Sequence, residues 1–169
     1  MSNSSDFYVK GACGIVLRRL QPADLAAFQA YRQDPEVGRY QDWERMDDAK
    51  AAGFIQHVSE AELFQRGRWS QIGIDLGGTL IGDMGVFVDE AGTQGEMGIT
   101  LARSAQRKGL AEAAVRALIV YLFDDLGLER ITAGAMLENA RSIALMERLG
   151  MEKTGVANGD VDYVLHRPK

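Results

Sequence analysis

The chain has 169 residues, 46% of them apolar and 25% charged, and its 19 lysines and arginines against 24 aspartates and glutamates give a formal charge of −5. That is the composition of one soluble globular domain, and the acidic balance argues against a long nucleic-acid groove. A domain of this length buries roughly 70% of the surface its unfolded chain exposes, so it needs no disulfide or metal to hold it together.

The single cysteine, Cys13, has no internal partner. With two widely separated histidines, His57 and His166, it leaves too few soft ligands for a zinc or iron–sulfur centre, and the usage fits a reducing cytoplasm. The most apolar stretch, residues 113–123, contains Arg116 and is about half the length of the roughly twenty residues a membrane span requires. Glycine is the unusual entry in the composition, 19 residues where about 7% of the chain, or roughly 12, would be ordinary.

The opening MSNSSDFYVK has neither a basic start nor an apolar core, so it reads as a short frayed arm rather than a signal peptide. Residues 1–14 are assigned to this arm and residues 15–169 to a single domain. IVLRRL, from Ile15 to Leu20, is a β-type run, and Pro22 and Asp24 are placed to start a helix. From Asp24 to Asp34, Leu25, Phe28 and Tyr31 share one helical face, and Pro35 closes the helix by pushing Asp34 out of the α region. After the irregular EVGRYQDWERM, Asp47 caps a second amphipathic helix carrying Phe54, Ile55 and Val58.

Gln71 to Leu76 and Leu80 to Val88 are strands joined by the hairpin signal Gly77-Gly78, and Glu96 to Leu101 follows the turn at Glu90-Ala91-Gly92. Nine of the 19 glycines lie between Gly67 and Gly98, which reads as a meander with tight turns. The longest helix is expected over 109–126, with Val115, Leu118, Ile119, Leu122 and Phe123 on its apolar face and Gly127 as its C-cap. Then come a strand over 130–136, a helix over 140–149 ended by Gly150, and a strand pair over 151–156 and 160–166 around the hairpin dipeptide Asn158-Gly159.

The informative stretch is GEMGITLARSAQRKGLAEAAVRALIVYLF, residues 95–123. A strand ends at Leu101, a basic turn follows, and a long helix starts at Gly109-Leu110-Ala111. A helix N-terminus leaves backbone N–H groups unpaired and carries about half a positive charge, so it stabilises a phosphate. Gly109 and Ala111 let a ligand approach the backbone, and Arg103, Arg107 and Lys108 add local positive charge. The P-loop and the Gly-x-Gly-x-x-Gly dinucleotide fingerprint are both absent. The residues alone leave two readings, a pyrophosphate cradle and an ordinary strand-to-helix turn with solvated basic residues.

Gln106-Arg107-Lys108-Gly109-Leu110-Ala111 resembles the acetyl-CoA signature Gln/Arg-x-x-Gly-x-Gly/Ala of the GNAT superfamily of N-acetyltransferases. Residues 126–131 and 139–151 (NARSIALMERLGM) resemble the second half of the same core. Asp34-Pro35-Glu36-Val37-Gly38-Arg39-Tyr40 with Trp43 resembles the Rim-type branch, which includes acetyltransferases of ribosomal-protein N-termini. The resemblance extends over residues 15–166.

It implies a single α/β (α+β) domain, with a mixed, mostly antiparallel sheet of about seven strands flanked by about four helices and splayed open at the cofactor site. It also implies that acetyl-CoA enters that opening. Its pantetheine arm would pair with backbone at Ile99, Thr100 and Leu101, and its pyrophosphate would be held by Arg107, Lys108, Gly109, Leu110 and Ala111, with Arg103 and Gln106 beside them. Asn139 would contact the pantetheine or the departing thiol. Arg103 stands where the branch commonly has proline and Arg107 where many members have glycine, but neither change removes a backbone N–H. Met146 occupies the position of a tyrosine that protonates the leaving thiolate in many members, and Ser142 is the substitute the Rim-type branch suggests.

Amide formation requires a base to take a proton from the amine and an acid to meet the thiolate. Glu96, on the strand leading to the turn, is the candidate base, its bland alternative being a surface glutamate. A backbone N–H near Ile99 is the candidate oxyanion donor. Asn139 can serve as a helix N-cap or a cofactor contact, or as both, and Ser142 as a thiolate donor or a first-turn serine. Tyr40 and Trp43 either line the acceptor pocket or pack as core aromatics, and their place in a loop favours the pocket.

The expected activity is acetyl transfer from acetyl-CoA to a primary amine, the α-amine of a protein N-terminus included, by a cytoplasmic monomer or homodimer that takes no metal, nucleic acid or membrane partner. The alternatives are a non-catalytic acyl-CoA-binding module and a small-molecule acetyltransferase acting on an antibiotic or polyamine.

Overall fold

The β-branched and apolar start of Ile15–Arg19 favours a strand, β2, along which burial alternates and Ile15 and Leu17 are fully buried. A shorter strand, β1 (Tyr8–Lys10), pairs antiparallel with it. The structure, a computed structural model, describes residues 7–169. The arm expected over residues 1–14 thus supplies an edge strand, while its first six residues lie outside those described.

Helix α1 (Leu25–Arg32) follows, then the short α2 (Pro35–Gly38), in a stretch the sequence suggested was irregular. Asp34 ends the first helix and caps the second, its carboxylate accepting from Glu36 N at 3.0 Å. Asp47 caps α3 (Asp48–Glu60) by accepting from Lys50 N at 2.8 Å. His57 of that helix is solvent-exposed.

The meander is β3 (Arg68–Leu76), β4 (Thr79–Val88) and β5 (Gln94–Leu101). Helix α4 (Leu110–Val120) continues through a wider π turn, Tyr121–Asp125, to Gly127 at φ +72°. Then come β6 (Arg130–Met136), α5 (Ala140–Arg148), β7 (Glu152–Ala157) and β8 (Asp160–His166).

The eight strands form one sheet in the order β1-β2-β3-β4-β5-β6-β8-β7, one more than the seven expected because of β1. Every pairing is antiparallel except β5 with β6, which α4 connects as a crossover.

Each face of the sheet carries a core. On one, α4 and α5 bury Leu110, Ala114, Leu118 and Leu145 against Ile15, Ile72, Met84 and Ile131. On the other, α1 and α3 bury Phe28, Tyr31, Ile55 and Val58 with Leu20 and Leu80.

Beneath α1 the second face holds a buried ionic cluster. Asp83, 1% exposed, accepts from Tyr31, from Gln71 and, at 2.6 Å, from Arg32. Burial and the Asp83 charge push the Tyr31 hydroxyl well above its ordinary pKa, so it stays a donor. The Arg32 guanidinium also lies 4.8 Å from the Phe28 ring centre and 4.4 Å from that of Trp43.

The glycine-rich meander is less a set of turns than its composition suggested. Gly67, Gly77, Gly78 and Gly92 take the left-handed conformation of turns. The other five of the nine lie within strands.

Candidate active site

Strand β5 pairs with β4 along nearly its whole length, from Gly95 to Leu101, but with β6 only at Gln94, Glu96 and the residue between them. Past Glu96 the two strands part, and the β6-side edge from Met97 to Leu101 has no ladder partner. Strand β6 stays paired with β8 from Arg130 to Met136, so the sheet opens as a V between two intact halves.

At the closed side of the turn, Ala102 N donates to Ile81 O at 2.8 Å and Gln106 Nε2 donates to Leu101 O at 2.9 Å. Arg107 (φ +61°) and Gly109 (φ +76°) are both left-handed, an alternation that brings successive N–H groups to one concave side as α4 begins. The first N–H groups of α4 have no intrahelical acceptor. A Cβ built on Gly109 would meet nothing within 4 Å, so the space in front of these amides is open and a side chain there would intrude on it. Glu112, in the first turn, would oppose an anion, but hydrogen bonds from Arg116 (2.8 Å) and Arg148 (3.2 Å) hold its carboxyl below its ordinary pKa and offset its charge.

A cleft of about 1230 Å³ runs along this edge. That exceeds the roughly 300–1,000 Å³ of common small-ligand sites and leaves room for a long, nucleotide-tailed molecule. Ile99, Leu101, Arg103, Gln106, Arg107, Gly109, Ala111, Asn139, Ser142 and Tyr40 of the sequence-selected residues line it.

Thr100, Lys108, Leu110, Glu96 and Trp43 lie outside that lining. Thr100 turns its hydroxyl to the opposite face, where Trp43 Nε1 donates to it at 3.4 Å. Leu110 sends its side chain into the core and Lys108 is exposed. Trp43 packs beside the second core under Arg32, the bland alternative for that residue.

Sequence reasoning overlooked Gln41, Arg141 and Arg148, which also line the cleft. Gln41 Nε2 donates to Ile99 O at 3.3 Å, on the strand edge that β6 leaves open. Arg141 donates to Gln106 Oε1 at 2.8 Å across the mouth. Arg103 pairs with Asp34 at 2.5 Å at the rim, a contact that holds the Asp34 carboxyl below its usual pKa.

At the head of α5, Asn139 Oδ1 accepts from Ser142 N at 3.2 Å, the N-cap bond, while Asn139 Nδ2 donates to Ser142 Oγ at 3.0 Å. Because Ser142 Oγ is the acceptor in that bond, its own proton is left to donate elsewhere. Both residues also line a smaller pocket of about 100 Å³ with Gly98, Ile99, Gly134, Tyr40 and the buried Met146. Its lining brings Gly98 and Gly134, from the two strands that part at the V, together with Val115 of α4 and Leu145 of α5.

Glu96 stands at the apex of the V on the face that carries α1. Its carboxyl is held above its ordinary pKa by partial burial and by the nearby carboxylates of Asp162 and Asp42.

A mixed sheet opened beside a helix N-terminus that can hold a diphosphate is the architecture of an acyl-CoA-dependent N-acetyltransferase. Residues 15–152 match the acetyltransferase (GNAT) domain family, and the chain belongs to it. It is 31% identical over 144 residues to the uncharacterized N-acetyltransferase p20 of Bacillus licheniformis, a match covering 84% of this chain and 81% of that protein.

A GNAT-family acetyltransferase from Bacillus anthracis shares the fold with a TM-score of 0.82 at 20% identity, covering 94% of this chain and 98% of that one. RimL, a ribosomal L7/L12 α-N-protein acetyltransferase solved with coenzyme A, superposes with a TM-score of 0.80 at 17% identity, covering 94% and 97%.

Proposed function

We propose that this GNAT domain transfers the acetyl group of acetyl-CoA directly to a primary amine, with the α-amine of a polypeptide N-terminus as its leading acceptor. The observation that carries this reading is the V between β5 and β6, with the cleft and the head of α4 beside it and Glu96 at its apex.

When bound, acetyl-CoA supplies an activated acyl group and a thiol leaving group. In this reading the amides of Arg107 to Ala111 hold the pyrophosphate, with Gln106 fixing the turn that presents them. Ile99 and Leu101 offer the open backbone edge to the pantetheine arm, Thr100 between them turning its own backbone groups to β4, and a backbone N–H near Ile99 meets the negative charge that develops on the acyl oxygen.

An alkylamine is largely protonated near neutral pH and must shed a proton to attack. Glu96 takes that proton through water, and its raised pKa strengthens it as a base. Ser142, held by Asn139, donates a hydrogen bond to the departing thiolate in the place where Met146 cannot, and the thiolate takes its proton from water.

Support for the polypeptide acceptor comes from the RimL likeness, from the Rim-type pattern at 34–43 and from the acidic surroundings of Glu96, which favour a cation. The test is incubation with acetyl-CoA and a panel of amines and N-terminal peptides, read by thiol release and by mass spectrometry of the acceptors. An acetylated peptide α-amine is the expected product, with turnover lost in Glu96→Gln and Ser142→Ala while coenzyme binding persists. Full turnover in both variants would overturn the assignments of Glu96 and Ser142. Coenzyme binding without any acetylated product would make the domain a binding module.

A further inference from the structure

Register places three rows of side chains on the sheet face that bears α1 and α3. Gly73, Asp83 and Thr100 form the row lying under α1 and Trp43. Gln71, Gly85 and Gly98 form the next, and across the V Gly134 and Asp162 continue at the same level. Trp69, Phe87, Glu96 and Thr132 form the third.

The helices cover the first row and leave the third open. Trp69 is 57% exposed although it sits within a strand, its ring 5.6 Å from that of Phe87 and lying against Gly85. Trp69 and Phe87 thus leave a paired aromatic surface open to solvent on the part of the face that α1 and α3 do not cover.

Beside this aromatic ledge the floor drops away. A Cβ on Gly98 would meet nothing within 4 Å, and Gly98 lines the smaller pocket at the V. The hollow at Gly98 lies one strand spacing, about 4.8 Å, from the Trp69 ring over Gly85, and the transfer point lies about as far on the other side. Glu96, two residues along β5, feels the charges of Asp162, level with Gly98 across the V, and of the loop residue Asp42, so this side of the V is acidic. A cation is therefore favoured in the hollow, and an apolar group within about 10 Å of it can cover the ledge.

We propose that Trp69 and Phe87, with the hollow at Gly98, form the subsite that reads the acceptor next to its amine, selecting an aromatic or branched aliphatic group and rejecting an acidic one. The subsite rests on the N-acetyltransferase reading with the acceptor arriving from this face. An N-terminal peptide fits the spacing, since consecutive residues of an extended chain advance about 3.3 Å and place the second side chain over the ledge while the α-amine reaches the V. Glycine at Gly98 then has a function, letting the acceptor backbone lie close to the sheet.

The test uses peptide amides Ala-Xaa-Ala with Xaa as Phe, Leu, Ala or Asp, which keep the same α-amine, followed by thiol release from acetyl-CoA. Phe and Leu are expected to exceed Ala in kcat/KM by tenfold or more, with Asp below Ala. Trp69→Ala should erase the Phe preference with the KM for acetyl-CoA unchanged within twofold, and Trp69→Phe should restore most of it. Equal turnover of all four peptides, preference retained in Trp69→Ala, or turnover confined to small non-peptide amines would overturn the subsite and leave acetyl transfer standing. No thiol release with any amine would overturn the transfer reading and the subsite with it.

Discussion

Arg141 and Gln106 join across the mouth of the cleft at 2.8 Å, and Gln106 holds Leu101 O with its other end. The head of α5, the turn before α4 and the end of β5 are thereby tied through one side chain. Gln106→Ala should cost about 1 kcal/mol of stability, the net worth of a hydrogen bond. It should weaken coenzyme A binding about tenfold, roughly 1.4 kcal/mol, by loosening the turn that presents the amides. Arg141→Ala, which leaves the bond to Leu101 in place, should do less on both counts. Calorimetric titration with coenzyme A beside urea unfolding separates the two effects, and an unchanged affinity in Gln106→Ala would remove the turn from the binding site.

The two left-handed residues of the turn respond in opposite senses. Gly109→Ala forces a Cβ into φ +76° at a cost of about 1–2 kcal/mol and pushes a methyl group into the open space before the amides. Its loss of coenzyme affinity should therefore exceed what the stability change explains. Arg107 already bears that strain at φ +61°, so Arg107→Gly should leave stability unchanged or raise it by up to about 1 kcal/mol after the entropy glycine forfeits. Paired denaturation curves for the two variants decide it, and a destabilised Arg107→Gly would mean the arginine side chain contributes more than its backbone costs.

The sequence carried the turn before α4 and the order of the elements because both are local. Proline and aspartate at helix starts, glycine at helix ends and Gly-Gly and Asn-Gly at hairpins act through their own dihedral angles and hydrogen bonds. The V between β5 and β6 is not local. It depends on where a crossover helix lets two strands meet and part, and it entered the sequence reading through family resemblance alone. Glu96 and Gly98 were visible as residues, but their shared face with Trp69 follows from register across three strands. Gln41 and Arg141 sit among other polar residues with no periodicity or motif to single them out. Trp43 misled for a related reason, since a loop aromatic can be drawn into a core by a partner such as Arg32 that lies on a separate helix.

Asp83 is the residue on which that second core leans. Removing its carboxylate by Asp83→Ala leaves Arg32 charged and buried and leaves Tyr31 and Gln71 without their acceptor, so a loss of about 3–5 kcal/mol is expected. Because Arg32 also holds the Trp43 ring, the indole emission should change in the folded protein, and coenzyme affinity should change far less than stability. Thermal unfolding and fluorescence together test this. A loss below about 1 kcal/mol would mean that water replaces the carboxylate.

The pH dependence of Glu96 has a definite sign. A carboxyl whose pKa is raised by folding binds its proton more tightly in the folded state, so its contribution to stability declines as pH climbs from the ordinary value of 4.5 through the folded value. As a base it must be ionised, so the acid limb of the rate should turn above 4.5. That limb is best read with a weakly basic acceptor, such as a hydrazide, whose own protonation stays out of the window. Asp162→Asn removes one of the neighbouring negative charges, which should lower the Glu96 pKa and move the limb to lower pH. Glu96→Gln should abolish the limb and cut the rate about 10²–10⁴-fold, the usual worth of a positioned base. A limb that stays in place in Asp162→Asn would belong to a group other than Glu96, which feels the Asp162 charge directly.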